Sequence, residues 1–474
     1  MLNNLNWINP GERFPPDSER ERLKMYADNK ALFESEHAEI YKKDLERIER
    51  VINDFQERIS YPVVLNFQKL MALKIADFLF GEPPVFSAGD DGSREQETID
   101  IIIKNNIKGD NLVQLAYQAA IDVVRFGDGL FEIYNDGEKG VISTTQPQIW
   151  FPVVDEDDIK TVTHHVLAWV TQNGRLKIKI HNKGNYEIRE YQTDRGMITK
   201  EMGERQIIQT GLDDFAIVQI SNTKSSDRIT GLDDFTPIDS IISNLIVRIG
   251  QVDRILDKHA SPTVSGPQSA LERDPIDGMW RMKMGDFFIR DTLNDPPVEY
   301  IVWEGQLAAN FQQIDKLVNM LYSLSEMGAA LFGDMSNITG SVPSGTALKR
   351  LMISPLSKVN RIRMQFDPAL KKAIRLCSMI GGENIINLKD AEISINWYDG
   401  LPQDPTEDAA IISSRTGGKS TMSQYRAMMI YDGMSEEKAN EELQRIQDEE
   451  SEAEPMKAPP FSQANKSTEV SLKE

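Results

Sequence analysis

The sequence predicts an α+β protein of several domains, mainly helical, with one antiparallel β region set among the helices. Three observations predict it. The chain has 474 residues, too many for a single hydrophobic core. Apolar residues recur at helical spacing both before residue 126 and after residue 236. Between 141 and 222 the period falls to two, and β-branched and aromatic residues dominate.

Residues 17–59 are dense in Glu, Arg and Lys, and Leu45, Ile48, Ile52, Phe55 and Ile59 make one apolar stripe, so one or two helices with a solvated face are expected. LNFQKLMALKIADFLF at 65–80 reads as a more buried helix stopped by Gly81, with Pro83 and Pro84 following. Ala88 to Glu95 reads as a polar turn, and 96–107 and 110–125 as two more helices. Gly127, Asp128 and Gly129 break the pattern, and LFEIY at 130–134 is a strand. VISTT, HHVLAWV, LKIKIHN, YEIREY and FAIVQIS follow as strands. Turns fall at Asn173-Gly174, Gly184-Asn185 and Asp194-Arg195-Gly196, giving a sheet or small barrel.

Residues 236–259 return to helix, with Thr236 or Asp234 as the cap, Pro237 in the first turn, and an apolar face that includes Ile238, Ile242, Leu245 and Ile249. A proline-rich loop-and-strand module occupies 260–304. A second helix, 306–331, carries Leu317 and Leu321. The glycine-rich stretch 332–343 is irregular. A long helix from Ser344 to about Ile380 contains Pro355 and Pro368 and should kink or break at them. EISINW at 392–397 is a strand, and 404–450 holds two or three helices around Asp432-Gly433. Beyond about 449 the chain is acidic and poor in apolar residues, the composition of a disordered tail.

Composition narrows the function. The chain carries 74 acidic and 53 basic residues, a formal net charge of −21. That balance argues against a tight grip on nucleic acid, which needs a basic face. It is compatible with a surface past which DNA slides. No apolar run approaches the length of a membrane span. The N-terminus lacks the apolar core of a signal peptide, so synthesis in a cytoplasm is expected. The single cysteine, Cys377, allows no intrachain disulfide.

No motif carries enzymatic chemistry. TGGKST at 416–421 resembles the end of a phosphate loop, but the earlier glycine is replaced by Ser413 and the residues before it look helical. A turn between helices is the better reading. His37, His164, His165, His181 and His259 form no metal-binding pattern, and the adjacent His164 and His165 point to opposite faces of a strand. Asp155, Glu156, Asp157 and Asp158 lack the spacing of a calcium loop and read as a solvated acidic turn. No catalytic residue, cofactor or metal is expected.

Three passages resemble portal proteins of tailed double-stranded-DNA bacteriophages, most closely those of long, non-contractile-tailed phages of Gram-positive hosts. They are GLDDFTPIDSIISNLIVRIGQVDRILDKHASP, LYSLSEMGAALFGDMSNITGS, and VPSGTALKRLM, where Ser344, Gly345, Ala347, Leu348 and Lys349 match a Ser-Gly-x-Ala-Leu-Lys pattern. IADFLFGEPPVF at 75–86 and YQAAIDVVRFGDGLFEIY at 117–134 match the start of the family's wing domain. The resemblance spans roughly 65–450; the stretch between Gly333 and Ser344 is shorter than in the family.

The resemblance implies a dodecameric ring at one capsid vertex through which DNA is packaged and ejected. It implies a wing at 1–235, stem helices at 236–259 and 306–331, and a clip at 260–305. A tunnel loop follows at 332–343, then the long kinked helix and a wing strand at 344–403, a crown at 404–450 and a tail at 451–474. Gly333, Asp334, Met335, Ser336, Asn337, Ile338, Thr339, Gly340 and Ser341, with Lys349 and Arg350, would line the DNA channel. Trp280, Phe287, Phe288 and Trp303 would dock neighbours or partners, unless they form a small core of their own. Ile238, Ile242, Leu245, Ile249, Leu317 and Leu321 would pack the stem, either between subunits or within one chain.

Lys349, Arg350, Lys358, Arg361 and Arg363 stand as either weak phosphate contacts or intersubunit salt bridges. The implied partners are further copies of the chain, double-stranded DNA without sequence specificity, the terminase large subunit, a head-completion or tail adaptor, and the major capsid and scaffold proteins. The implied location is the virion, with no membrane. Two other readings stand beside this one: a different virion structural or adaptor protein, and a nucleotide hydrolase using Lys419.

Overall fold

The fold is that of a computed structural model, which describes residues 2–44, 63–90, 92–104, 110–260, 263–265, 271–276, 278–282, 299–301, 307–333, 350–398, 405–417, 420–431, 434 and 436–453. The chain divides into two units, Met1–Leu401 and Pro402–Glu474. The fold is mixed helix and antiparallel sheet, as the periodicities predict.

The first unit begins with an irregular strap, Leu2 to Phe14, that buries Trp7 and Ile8. Helix α1 (Arg20–Phe33) and a single turn, His37–Ile40, follow. The stripe from Leu45 to Ile59 lies outside the described residues. Helix α2 (Phe67–Phe80) starts where the Asn66 side chain accepts the Lys69 N–H at 2.9 Å. Strand β1 (Val85–Ala88) takes part of the stretch expected as a turn. Helices α3 (Arg94–Lys104) and α4 (Leu112–Phe126) come next. Asn111 and Gln114 form a reciprocal capping box on α4, and Gly127 ends it in the left-handed region at φ 85°. The small residues Ala72 and Ala76 of α2 and Ala116, Ala119 and Ala120 of α4 are buried where these helices pack together.

Strands β2 (Asp128–Asn135), β3 (Gly140–Thr145), β4 (Trp150–Val154), β5 (Val162–Val170), β6 (Arg175–Asn182), β7 (Asn185–Asp194), β8 (Met197–Gln209) and β9 (Ile217–Ser221) build two antiparallel sheets. One has the order β3-β2-β9 and the other runs β4-β5-β6-β7-β8 as a meander, so an open pair of sheets replaces the alternative of a barrel. The turns fall where glycine permits positive φ: Gly174 (72°), Gly184 (85°) and Gly196 (82°). Strands β4 and β8 had no sequence expectation. Pro152 disguises the first, and charged residues dilute the second.

Helix α5 (Thr236–Ala260) follows. Its start corrects the expected cap. Asp233, not Thr236 or Asp234, accepts the backbone N–H groups of Phe235 (2.9 Å) and Thr236 (2.7 Å) and the Thr236 hydroxyl (2.9 Å). The module beyond it contains β10 (Thr263–Ser265), β11 (Leu271–Arg273), β12 (Trp280–Met282) and β13 (Glu299–Ile301), paired β10-β13 and β11-β12. Helix α6 (Leu307–Leu324) ends seven residues short of the expected Leu331, because Glu326 turns into the left-handed region at φ 61°.

Helix α7 (Ile353–Ile380) is likewise shorter than the expected Ser344–Ile380. Arg350 and Leu351 are helical and Met352 is a turn, so the break lies just ahead of Pro355, which sits in the first turn of α7 where no backbone bond is lost. The helix runs on through Pro368. Strand β14 (Ile393–Asn396) pairs antiparallel with β1, Phe86 opposite Ile395.

One large core joins α2, α3, α4, α5, α7, the inner faces of β2, β3 and β9, and the end of α6. The meander packs one face on the N-terminal strap through Trp7, Ile8, Phe151, Val166 and Ile178. Its other face shares Trp150 and Leu167 with Leu130 and Ile217 of the three-stranded sheet. The second unit contains α8 (Pro405–Thr416), α9 (Gln424–Tyr431) and α10 (Glu436–Ala453).

Candidate functional site at the loop root

Helices α5 and α6 pack against each other as the two arms of a hairpin. Ile238, Ile242, Leu245 and Leu321 are buried, and Leu317 packs half-buried on the same cluster, which is the chain's own core. Ile249 is half-buried. The stem residues picked out by the apolar pattern therefore have partners within one chain. Phe311 (49% exposed), Met320 (50%) and Leu324 (53%) of α6 are left uncovered.

After α6 the chain turns sharply. Ser325 and Met327 are buried, and Ala329–Phe332 forms a short helical turn ended by Gly333 at φ 83°. Phe332 stacks on Tyr322 at 5.5 Å and meets Phe67 of α2 at 4.8 Å. Asp334 to Ser341 and Lys349 lie outside the described residues. Arg350 is exposed.

The cations of α7 are committed elsewhere than expected. Lys358 is buried and pairs with Asp234 at 2.9 Å while donating to the Ser325 carbonyl at 3.0 Å. Arg361 Nη2 donates to both carboxylate oxygens of Glu326, at 2.9 and 3.0 Å. Arg363 donates to the Phe78 carbonyl at 2.9 Å and to that of Tyr398, and its guanidinium lies 5.5 Å from the Trp397 ring. All three make contacts inside the chain. Sequence reasoning missed the partners because Asp234 and Lys358 are more than a hundred positions apart.

In the module between the hairpin arms, Trp280 is 57% exposed and Ile276 is 94% exposed. The β11–β12 turn that presents them is well fixed: Ile276 N–H donates to the Asp274 carboxylate (2.8 Å), and Arg273 donates to the Gly278 carbonyl (2.9 Å). Phe287, Phe288 and Trp303 lie outside the described residues.

The sequence's enzymatic temptations resolve into structure. Thr416 ends helix α8, and Thr421 and Met422 bond back to the Arg415 carbonyl, so TGGKST follows a helix where a phosphate loop follows a strand. Gly418 and Lys419 themselves lie outside the described residues. Asp155 accepts from the backbone of Asp157 and Asp158, and Asp158 from Lys160 and Thr161, so this acidic turn satisfies its own chain.

His165 and His181 are opposite one another on β5 and β6 and buried. The Trp150 indole donates to His165 Nδ1 at 3.0 Å, and burial holds the ring's pKa down at about 3. Burial also pushes the Glu132 carboxyl up, but His181 and the Lys179 ammonium outweigh it and bring the group to about 2. This pair ties the two sheets together. Among the described residues no group of three His, Cys, Asp or Glu side chains is placed to hold a metal ion. No helix among them is long and apolar enough to cross a membrane.

Fold and site together define a structural class: an α+β scaffold carrying a helical hairpin, an insert between its arms and a turn after the second arm held against the long helix. Residues 278–456 match the family model described as phage portal protein, SPP1 Gp6-like. The match runs from within the insert through α6, α7 and β14 to the last helix, and it supports a phage portal protein, a structural component of the virion. No curated protein matches the chain.

Among solved structures, the chain is similar to one in the neck of an empty gene transfer agent particle, computed with C6 symmetry. That similarity has 11% identity and a TM-score of 0.48, and covers 77% of this chain and 89% of that one. It is also similar to a chain in the virion of a native gene transfer agent particle, with 12% identity, a TM-score of 0.44 and coverage of 77% and 87%. A third is in the neck of the native particle computed with C12 symmetry, at 11% identity, TM-score 0.40 and coverage of 77% and 89%.

Proposed function

We propose that this chain is a portal subunit. Copies close into a ring at one capsid vertex, and double-stranded DNA passes through the centre during packaging and ejection. The ring has no catalytic activity of its own. The terminase large subunit docks on the insert end and is later replaced by a head-completion or tail adaptor, while capsid and scaffold proteins surround the ring. The host range implied by the resemblance, Gram-positive bacteria infected by long-tailed phages, belongs to the same proposal.

The observation that carries this reading is the order of parts under the family match: hairpin arm, insert, returning arm, clasped turn, long helix. Residues 1–235 then serve as wing, α5 and α6 as stem, 260–305 as clip, 332–343 as tunnel loop and 404–450 as crown. Arg350 and the stretch from Gly333 to Ser341, with Lys349, are assigned to the channel. Trp280, Phe287, Phe288 and Trp303 are assigned to partner docking. The net charge of −21 suits a channel that must not hold phosphates.

Native mass spectrometry with negative-stain imaging of the purified chain tests the proposal. Rings of about twelve copies with a central hole are expected. A compact dimer of the full chain would overturn it.

A further inference from the structure

Three chain segments converge at the turn after α6 and the start of α7, and one ammonium group joins them. Lys358 lies in the second turn of α7 and is 3% exposed. Its Nζ reaches Asp234 Oδ1 at 2.9 Å and the Ser325 carbonyl at 3.0 Å. Asp234 belongs to the turn that leads into α5, and its own N–H bonds the Val124 carbonyl at 2.9 Å, which ties it to the end of α4. Ser325 is the residue that follows α6. A more exposed layer repeats the link: Arg361 Nη2 donates to the Glu326 carboxylate, and the Ser354 hydroxyl donates to the Glu326 carbonyl at 3.0 Å. Glu326 holds a left-handed backbone at φ 61°, which a non-glycine residue keeps only where its surroundings enforce it.

We propose that Lys358 is a positioning residue: it sets the segment 325–333 against α7 and thereby fixes the separation between Gly333 and Arg350, the two described ends of 334–349. The functional half of this, that the fixed separation serves DNA passage, rests on the portal reading; the positional half does not. The physical reason lies in how a buried ion pair acts. Its attraction is largely cancelled by the cost of stripping water from both charges, so what it contributes is a defined geometry. Asp234 Oδ2 has no hydrogen-bond partner among the described residues, so the carboxylate depends on Lys358 through its other oxygen. Loss of the ammonium leaves the Ser325 carbonyl and the Asp234 carboxylate without their shared donor. Both then turn toward water, and the turn after α6 goes with them.

Hydrogen–deuterium exchange on the full purified chain tests the positional half. In Lys358→Met the amides of 325–333 should exchange at least about tenfold faster, while those of β5 to β7 stay within about twofold of the parent. Unchanged protection at 325–333, or an equal rise in the sheet, overturns the proposal, because the first shows no restraint and the second only general destabilisation. Should that variant fail to fold, Asp234→Asn, which keeps volume and an acceptor but removes the charge, should give a smaller rise confined to the same segment; no local rise overturns the proposal equally. The functional half is read by DNA filling of capsids built with Lys358→Met rings, with ring formation by the parent chain checked first. Absence of rings from the parent counts against the portal reading alone. Normal filling by variant rings overturns the role in DNA passage.

Discussion

At Gly231 the chain passes so close to Gly127 that an added Cβ would overlap the Gly127 carbonyl oxygen. The crossing is held by Asp128, fully buried, which accepts the Gly231 N–H (3.0 Å), the Gln219 amide (2.8 Å), the Ser221 hydroxyl (3.2 Å) and the Tyr26 hydroxyl (3.3 Å). Gly231→Ala should destabilise the first unit by about 1–3 kcal/mol in chemical denaturation, the usual cost of overpacking. A neutral result would mean that the backbone relaxes freely there.

Glu132 and His165 both weaken the fold in acid. Glu132 sits at about 2 when folded against an ordinary 4.5, so its contribution is complete above pH 4.5 and is lost as pH falls toward 2. His165 sits at about 3 against 6.5. The unfolded chain gains a proton there that the folded chain refuses, so stability is full above pH 6.5 and falls as pH drops toward 3. Their share of the urea midpoint should decline from pH 6.5 downward, opposed below about pH 6 by Asp239, whose carboxyl burial raises to about 6, and His165→Gln should flatten the slope between about pH 6.5 and 4. An unaltered slope would remove His165 from this account.

Among the elements, helix α5 begins where Asp233 gathers three donors. Asp233→Ala should cost about 1 kcal/mol, the value of a lost cap, with Asp233→Asn retaining most of it. Thermal denaturation followed by circular dichroism reads the difference, and equal losses for the two variants would show that the carboxylate acts by charge instead. Several elements are legible in the sequence. Period-two runs ended by glycines at positive φ located five strands and three turns, because both signals are local. Strand β1 was not legible: its partner β14 lies some three hundred positions away, and four residues such as VFSA carry no period of their own. The early end of α6 is equally hidden, since LSEMGAAL at 324–331 permits helix and the contacts of Glu326 with Arg361 and Ser354 favour the turn.

For the whole molecule, the charge balance makes the clearest prediction. With a net charge of −21, the chain as a whole repels phosphates. Purified protein should not retard duplex DNA in a mobility assay at roughly micromolar concentration and physiological salt, where proteins with several phosphate contacts bind. Tight, salt-sensitive binding would contradict a sliding surface.

The sequence by itself determined the class of fold, the place of the β region, the helix–insert–helix order and the lack of enzymatic spacing, because periodicity, turn chemistry and motif spacing are properties of neighbouring residues. Tertiary structure alone decided which residues share the loop root. Asp234, Ser325 and Lys358 are brought together by three packed helices, and a buried charge has no local signature that names the distant partner it needs.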